Sequence, residues 1–120
     1  CWRAYRDQRI HQRNELRQLS RRLSELSTDL PVILGGDFNV NPRDPIFREL
    51  PANLRDAFQS AGIGWGNTIT NEAPFLRIDQ VWINNFIESV QVSAEVATDT
   101  DHRLVLADLL LTAVPQQPLK

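Results

Sequence analysis

From residue 5 to residue 28 the chain carries no proline or glycine, and Leu16, Leu19, Leu23, Leu26 and Leu30 recur at steps of three and four. Steps of that size stack side chains on one face of an α-helix. The spacing predicts a single amphipathic helix over residues 5–28, ended by Asp29 and Pro31. Arg13, Arg17 and Arg21 fall on another face, with Glu25 one turn beyond Arg21.

Strand signals follow. Val32, Ile33 and Leu34 form a continuous apolar run, which suits a strand covered on both faces, and Gly35-Gly36 permits a sharp turn after it. Residues 39–44 are punctuated by Asn41-Pro42 and Asp44-Pro45 and predict a loop. A short helix is expected over about residues 45–50. A second is expected from an Asn53 N-cap through Leu54, Ala57, Phe58 and Ala61 to Gly62. Residues 62–76 are loop-rich, with three glycines and Pro74. Three strands should close the chain. Residues 78–83 cluster Val81, Trp82 and Ile83. Residues 87–96 alternate, with Val90, Val92, Ala94 and Val96 on the apolar side, and residues 104–111 are strongly apolar. The order helix, strand, helix, strand, strand, strand predicts an α/β (α+β) layer in which a helix covers a sheet. Residues 1–114 read as one domain or part of one, and residues 115–120, with Pro115 and Pro118, as a frayed tail.

Composition excludes several function classes. The 42% apolar content and a net charge of −2 exclude a disordered chain. No run of eighteen apolar residues exists to span a membrane. One cysteine and two histidines exclude a disulfide-stapled scaffold and a cysteine-rich zinc site. There is no Gly-x-Gly-x-x-Gly and no Gly-Lys-Ser/Thr for a nucleotide cradle. Charge is uneven: residues 1–22 balance to +5 and the remainder to −7. A basic helix can touch phosphates, although a solvated helix face has the same composition. The chain opens Cys1-Trp2-Arg3 and contains no methionine, so it is expected to be a piece of a longer protein.

Three segments put acidic or imidazole groups at predicted strand ends, where rigid scaffolds present chemistry. In Gly35-Gly36-Asp37-Phe38-Asn39, positions 37 and 39 face the same way if the chain stays extended. Asp37 can then orient or deprotonate a water, and Asn39 can donate to a phosphoryl oxygen. A turn that uses Asp and Asn for backbone capping has the same residues. In Arg77-Ile78-Asp79-Gln80-Val81-Trp82, Asp79 lies in an apolar strand and needs a partner, for which Arg77, Arg103 and His102 are candidates. A plain ion pair satisfies it equally. In Thr98-Asp99-Thr100-Asp101-His102-Arg103, two carboxylates and an imidazole precede a buried strand. Carboxylates suit Mg²⁺ or Mn²⁺, and His102 can serve as acid or base with a carboxylate fixing its tautomer.

Taken in order, GGDFN at 35–39, RIDQVW at 77–82 and TDTDHR at 98–103 resemble the last three motifs of the endonuclease/exonuclease/phosphatase, or deoxyribonuclease I-like, superfamily. The resemblance covers about residues 10–112. It implies half of a four-layer sandwich, with one mostly antiparallel mixed sheet and covering helices. It also implies a metal-dependent phosphoesterase, a nuclease among the options, acting on nucleic acid, a lipid head group or a small phosphate ester. By the same resemblance Asp37 handles the water nucleophile or the leaving-group proton. Asn39 contacts the scissile phosphate, Asp79 orients His102, and His102 contacts the phosphate or acts as base. Asp101 helps bind Mg²⁺ or Mn²⁺. Thr100 and Gln80 are mild departures from the pattern. The family's metal-binding Glu, an Asn and a further His or Tyr come from the first half of the fold and have no counterpart here. The partner expected is that missing N-terminal half, and the isolated chain is expected to be inactive or very weak. The parent protein is then cytoplasmic or tethered to a membrane through a missing N-terminal segment. The competing reading is a non-catalytic scaffold or interaction module on the same fold. Against it stands the intact set of five polar residues, expected to converge at one rim of a single sheet.

Overall fold

A computed structural model describes residues 1–69, 76–112 and 114–115. The described chain forms two compact units. One comprises Cys1–Leu30 with Arg43–Ala52, the other Pro31–Pro42 with residues from Asn53 onward. Residues 70–75 of the predicted glycine- and proline-rich loop, and residues 116–120 of the predicted tail, lie outside the description.

The first unit is built on α1, Trp2–Ser24. It begins three residues earlier than predicted and ends four residues sooner. The C-terminal turn tightens, with Glu25 N donating to Arg22 O and Leu26 N to Leu23 O, each at 3.2 Å. Such three-residue steps satisfy the last carbonyls and stop the α-helix. Leu26 and Leu30 therefore fall beyond the helix and stay exposed, while Leu16 is buried. A 3₁₀ helix, Pro45–Glu49, packs against α1 and buries Ile46 and Phe47. Pro45 sits in its first turn and Asp44 caps it, accepting from Ile46 N at 3.0 Å. The arginine face of α1 meets that turn: Arg9 Nη2 donates to Asp44 Oδ1 at 2.6 Å and Arg17 Nε to Glu49 Oε2 at 3.0 Å. Arg9 and Arg17 are thus committed to carboxylates.

The second unit contains β1 (Ile33–Asp37), β2 (Arg55–Asp56), α2 (Ala57–Ala61), β3 (Asp79–Ile83), β4 (Ile87–Val96) and β5 (Arg103–Leu111). Among the described residues every pairing between these strands is antiparallel, and an isolated parallel bridge joins Gly62 to Val92. The strands divide into a ladder in the order β1-β3-β2 and a β4-β5 pair rather than one continuous sheet. β1 is not covered on both faces as its apolar run suggested. It is an edge strand, Ile33 is 58% exposed, and Gly35-Gly36 contribute no side chain to pack.

The helix expected from Asn53 starts later. Arg55 and Asp56 first pair with Ile83 and Trp82, and Asp56 then caps α2, accepting from Phe58 N at 3.2 Å. Arg55 is drawn into the strand because its guanidinium donates to the carbonyls of Asn84 and Ile87. Ala57, Ile83, Ile87 and Val92 are essentially fully buried. Phe58, Val81, Val105 and Leu109 pack around them. Burying each large aliphatic side chain contributes roughly 1.5–3 kcal/mol.

Ile87 and Val92 are five positions apart, so strict alternation would send them to opposite faces. A β-bulge between Ser89 and Gln91 shifts the register and brings both inward. The same bulge explains why Val90, predicted on the apolar side with Val92, is 61% exposed. On β5 the outward positions carry Leu104, Leu106 and Leu110, all exposed. Among the described residues no helix is long and apolar enough to cross a membrane.

Candidate active site

Antiparallel pairing of β1 with β3 sets Asp37 directly opposite Asp79. Opposed residues in a ladder project to the same face, and two like charges there are destabilising unless something neutralises them. His102 arrives from the segment before β5, where it bridges Ile69. Its Nδ1 lies 2.7 Å from Asp79 Oδ2. Ligand atoms of Asp37, Asp79 and His102 all lie within 4.8 Å of one another. The three groups thus come from the ends of two different ladders, not from one rim of a single sheet.

The electrostatics follow. The hydrogen bond that His102 donates to Asp79 raises the His102 pKa above its ordinary value. The negative charges of Asp79, Asp101 and Asp37 act in the same direction, and desolvation opposes them. The Nδ1–Asp79 contact selects the tautomer with its proton on Nδ1 when the ring is neutral, which leaves Nε2 as the free acceptor. Asp101 Oδ1 stands 3.9 Å from that Nε2. Asp101, expected as the metal ligand, is exposed beside the cluster and is not one of the three converging groups.

Local chain geometry explains each placement. Asp37 Oδ1 accepts from Asn39 N at 2.9 Å, and Asn39 adopts φ 53°. This is an Asx-type turn at a left-handed residue, a conformation asparagine tolerates well. The chain therefore does not stay extended through Asn39, and the condition under which residues 37 and 39 face the same way is not met. Asn39 is exposed at the turn next to Asp37. Before His102, Thr100 Oγ1 accepts from His102 N at 3.1 Å and Asp99 sits at φ 64°. That turn delivers the imidazole onto Asp79.

Of the three partners open to Asp79, His102 is the one bonded. Arg77 instead forms a two-pronged pair with Asp56, one bond measuring 2.8 Å, and its guanidinium lies 4.6 Å over the Phe58 ring. Gln80, a mild departure from the family pattern in the sequence, is buried at 2% exposure. Its Nε2 donates to Val40 O at 2.6 Å and its Oε1 accepts from Trp82 Nε1 at 2.9 Å, which fastens the loop after Asp37 to β3. Sequence reasoning missed Thr68 altogether. It is fully buried, and its hydroxyl accepts from Ile78 N and Asp79 N. No local signal marks it, because its partners lie ten and eleven residues away. Asp56 was missed for a similar reason.

The donor set fits a hard divalent cation. Two opposed carboxylates offer oxygen ligands and excess negative charge, while His102 Nδ1 is already engaged with Asp79.

A profile described as the Endonuclease/Exonuclease/phosphatase family matches residues 1–102. Among solved structures, an endonuclease/exonuclease/phosphatase from Bacteroides vulgatus superposes with a TM-score of 0.68 at 24% identity, covering 83% of this chain and 44% of that one. A mannosyl-6-phosphatase from Bacteroides thetaiotaomicron gives 0.63 at 20% identity, covering 82% and 44%. An endonuclease/exonuclease/phosphatase from Beutenbergia cavernae gives 0.60 at 23% identity, covering 84% and 31%. The chain therefore spans less than half the length of these structures. Comparison with curated proteins gives no significant match. The Asp37–Asp79–His102 cluster stands on the fold these structures share, and the match over most of its length makes this chain a member of the endonuclease/exonuclease/phosphatase family.

Proposed function

We propose that this chain contributes one part of the active site of a metal-dependent hydrolase of phosphodiesters or phosphomonoesters, and that further polypeptide of the same domain completes it. The single observation that carries the reading is the 2.7 Å contact between His102 Nδ1 and Asp79 Oδ2 with the Asp37 carboxylate alongside. Enzymes of the family generally hydrolyse phosphate esters with a divalent metal. The mannosyl-6-phosphatase neighbour keeps phosphomonoesters within the substrate class beside nucleic acid and lipid head groups. Residues 31–120 are net acidic, which gives nucleic acid no particular preference.

The placement of these side chains supports the following roles. Asp79 holds the His102 ring so that Nε2 faces outward, where it can accept a proton from water or, when charged, donate to a phosphoryl oxygen. Asp37 lies close enough to orient a water or take the leaving-group proton. Asn39, exposed at the adjoining turn, donates to the phosphate. Asp37 and Asp79, with Asp101 beside them, would hold Mg²⁺ or Mn²⁺. Such an ion, when bound, supplies Lewis-acid stabilisation of the charge that builds on the phosphoryl oxygens. The exposed leucines of β5 support the second part of the proposal, since soluble domains rarely leave such a stripe open.

The test assays bis(p-nitrophenyl) phosphate and p-nitrophenyl phosphate with Mg²⁺, Mn²⁺ and EDTA. The 120-residue chain is compared with a longer protein that contains it. Turnover is expected only in the longer protein, abolished by EDTA and lowered at least ~100-fold by His102→Ala. Near-normal turnover by the short chain would refute the incompleteness. EDTA-resistant turnover would refute the metal.

A further inference from the structure

The strand that presents Asp79 is supported unequally along its length. β2 is only two residues long and pairs with Trp82 and Ile83, at the far end from Asp79. β1 pairs along the whole of one edge of β3, and at the Asp79 end the other edge is held by Thr68. Its hydroxyl oxygen accepts from Ile78 N at 3.0 Å and from Asp79 N at 3.1 Å. Its carbonyl accepts from Arg103 N at 2.6 Å, and its own N–H donates to Leu76 O at 2.9 Å. The next residue, Ile69, forms the bridge to His102. One fully buried residue therefore grips the backbone of Asp79 with its side chain and the backbone beside His102 with its main chain.

We propose that Thr68 is a positioning residue: it sets the separation between Asp79 and His102 and so holds the imidazole in the tautomer with its proton on Nδ1. A hydroxyl oxygen has two lone pairs, enough for both amides at once, and no aliphatic side chain of similar shape can replace it. The two contacts with Asp79 and Arg103 lie at the roots of the carboxylate and of the imidazole respectively. Losing the first leaves the Asp79 end of β3 held by β1 alone, while the His102 segment stays attached to residues 68 and 69. A carboxylate–imidazole bond of 2.7 Å tolerates little such movement, since hydrogen bonds weaken steeply once stretched or bent. The inference rests on the proposed role of the Asp79–His102 pair, but its test needs no turnover. An inactive protein would sink the hydrolase reading and leave this one standing.

The experiment records ¹⁵N shifts of the His102 ring in the full chain at alkaline pH, where the imidazole is neutral. Free imidazole favours the proton on Nε2, so a ring held with its proton on Nδ1 is a signature of the Asp79 bond. Asp79→Asn marks the signal of the broken pair. The wild type and Thr68→Ser are expected to give the Nδ1–H pattern. Thr68→Val is expected to shift His102 toward the Asp79→Asn pattern while its unfolding transition remains cooperative. A folded Thr68→Val with an unchanged ring, or a Thr68→Ser that loses the pattern, overturns the proposal. If Thr68→Val does not fold, Thr68→Cys, with a weaker acceptor at the same place, decides: an unchanged ring there overturns it as well.

Discussion

At the scale of single residues, His102 is the group whose charge state the fold alters most legibly. Its raised pKa comes first from the Asp79 hydrogen bond and then from the surrounding carboxylates. A raised folded-state pKa means that the folded chain binds the proton more tightly than the unfolded chain does. The pair therefore contributes its full stability below the unfolded histidine value of about 6.5, and loses it as pH rises through the folded value. In metal-free buffer, an NMR titration of His102 should give a midpoint above the ordinary histidine value, and Asp79→Asn should bring it down. A midpoint unmoved by Asp79→Asn would mean that the 2.7 Å contact is not what holds the proton.

The Arg77–Asp56 pair is a second residue-scale device. Both side chains are well buried, at 16% and 5% exposure, so removing one partner strands a charge. Asp56→Ala is expected to destabilise by roughly 3–5 kcal/mol, part of it from the lost α2 cap, as read from urea unfolding. Adding Arg77→Leu to that variant should recover a good share, since the stranded cation is then gone. A double variant no more stable than the single one would contradict the pairing as the source.

At the scale of elements, the loop between α2 and β3 is held by glycines that differ in kind. Gly66 adopts φ 66°, and a Cβ there would meet the Phe58 ring at 2.3 Å. Gly64 also has a positive φ, 78°, but a Cβ there meets nothing within 4 Å. Gly64→Ala should cost only the left-handed backbone penalty of about 1–2 kcal/mol. Gly66→Ala should cost that and the displacement of Phe58 from under Arg77. Equal unfolding midpoints for the two variants would show that the Phe58 contact does not hold the loop. Because that loop delivers Thr68, the cost reaches the site as well as the core.

At the scale of the whole molecule, Leu104, Leu106 and Leu110 form an exposed apolar stripe along β5, at 54%, 44% and 53%. If further polypeptide covers them, changing all three to Thr should leave the thermal stability of the 120-residue chain within about 1 kcal/mol. In a longer protein that includes the rest of the domain, the same change should lower stability by several kcal/mol, each buried leucine contributing roughly 1.5–3 kcal/mol. Equal effects in both proteins would leave the stripe solvent-exposed in each.

Local chemistry alone determined the elements whose causes lie within a few residues. The uninterrupted helix period of α1, the proline-led turn at residues 45–49, β4 over its full length and β5 to within one residue were all legible. So was the identity of the acidic and imidazole groups, because each stands at the end of an apolar run. What the tertiary structure decided lies in pairings between distant segments. Which of three candidates satisfies Asp79 depends on Asp56 capturing Arg77 from twenty-one residues away. Whether Val90 or Ile87 faces inward depends on a bulge that only the β4-β5 register reveals. The exposure of β1 depends on its place at the ladder's edge, and the role of Thr68 on two amides it meets only after the chain has returned. Periodicity and capping act through covalent neighbours and are written in the order of residues. Hydrogen-bond competition among buried polar groups is settled only when the fold brings the competitors together.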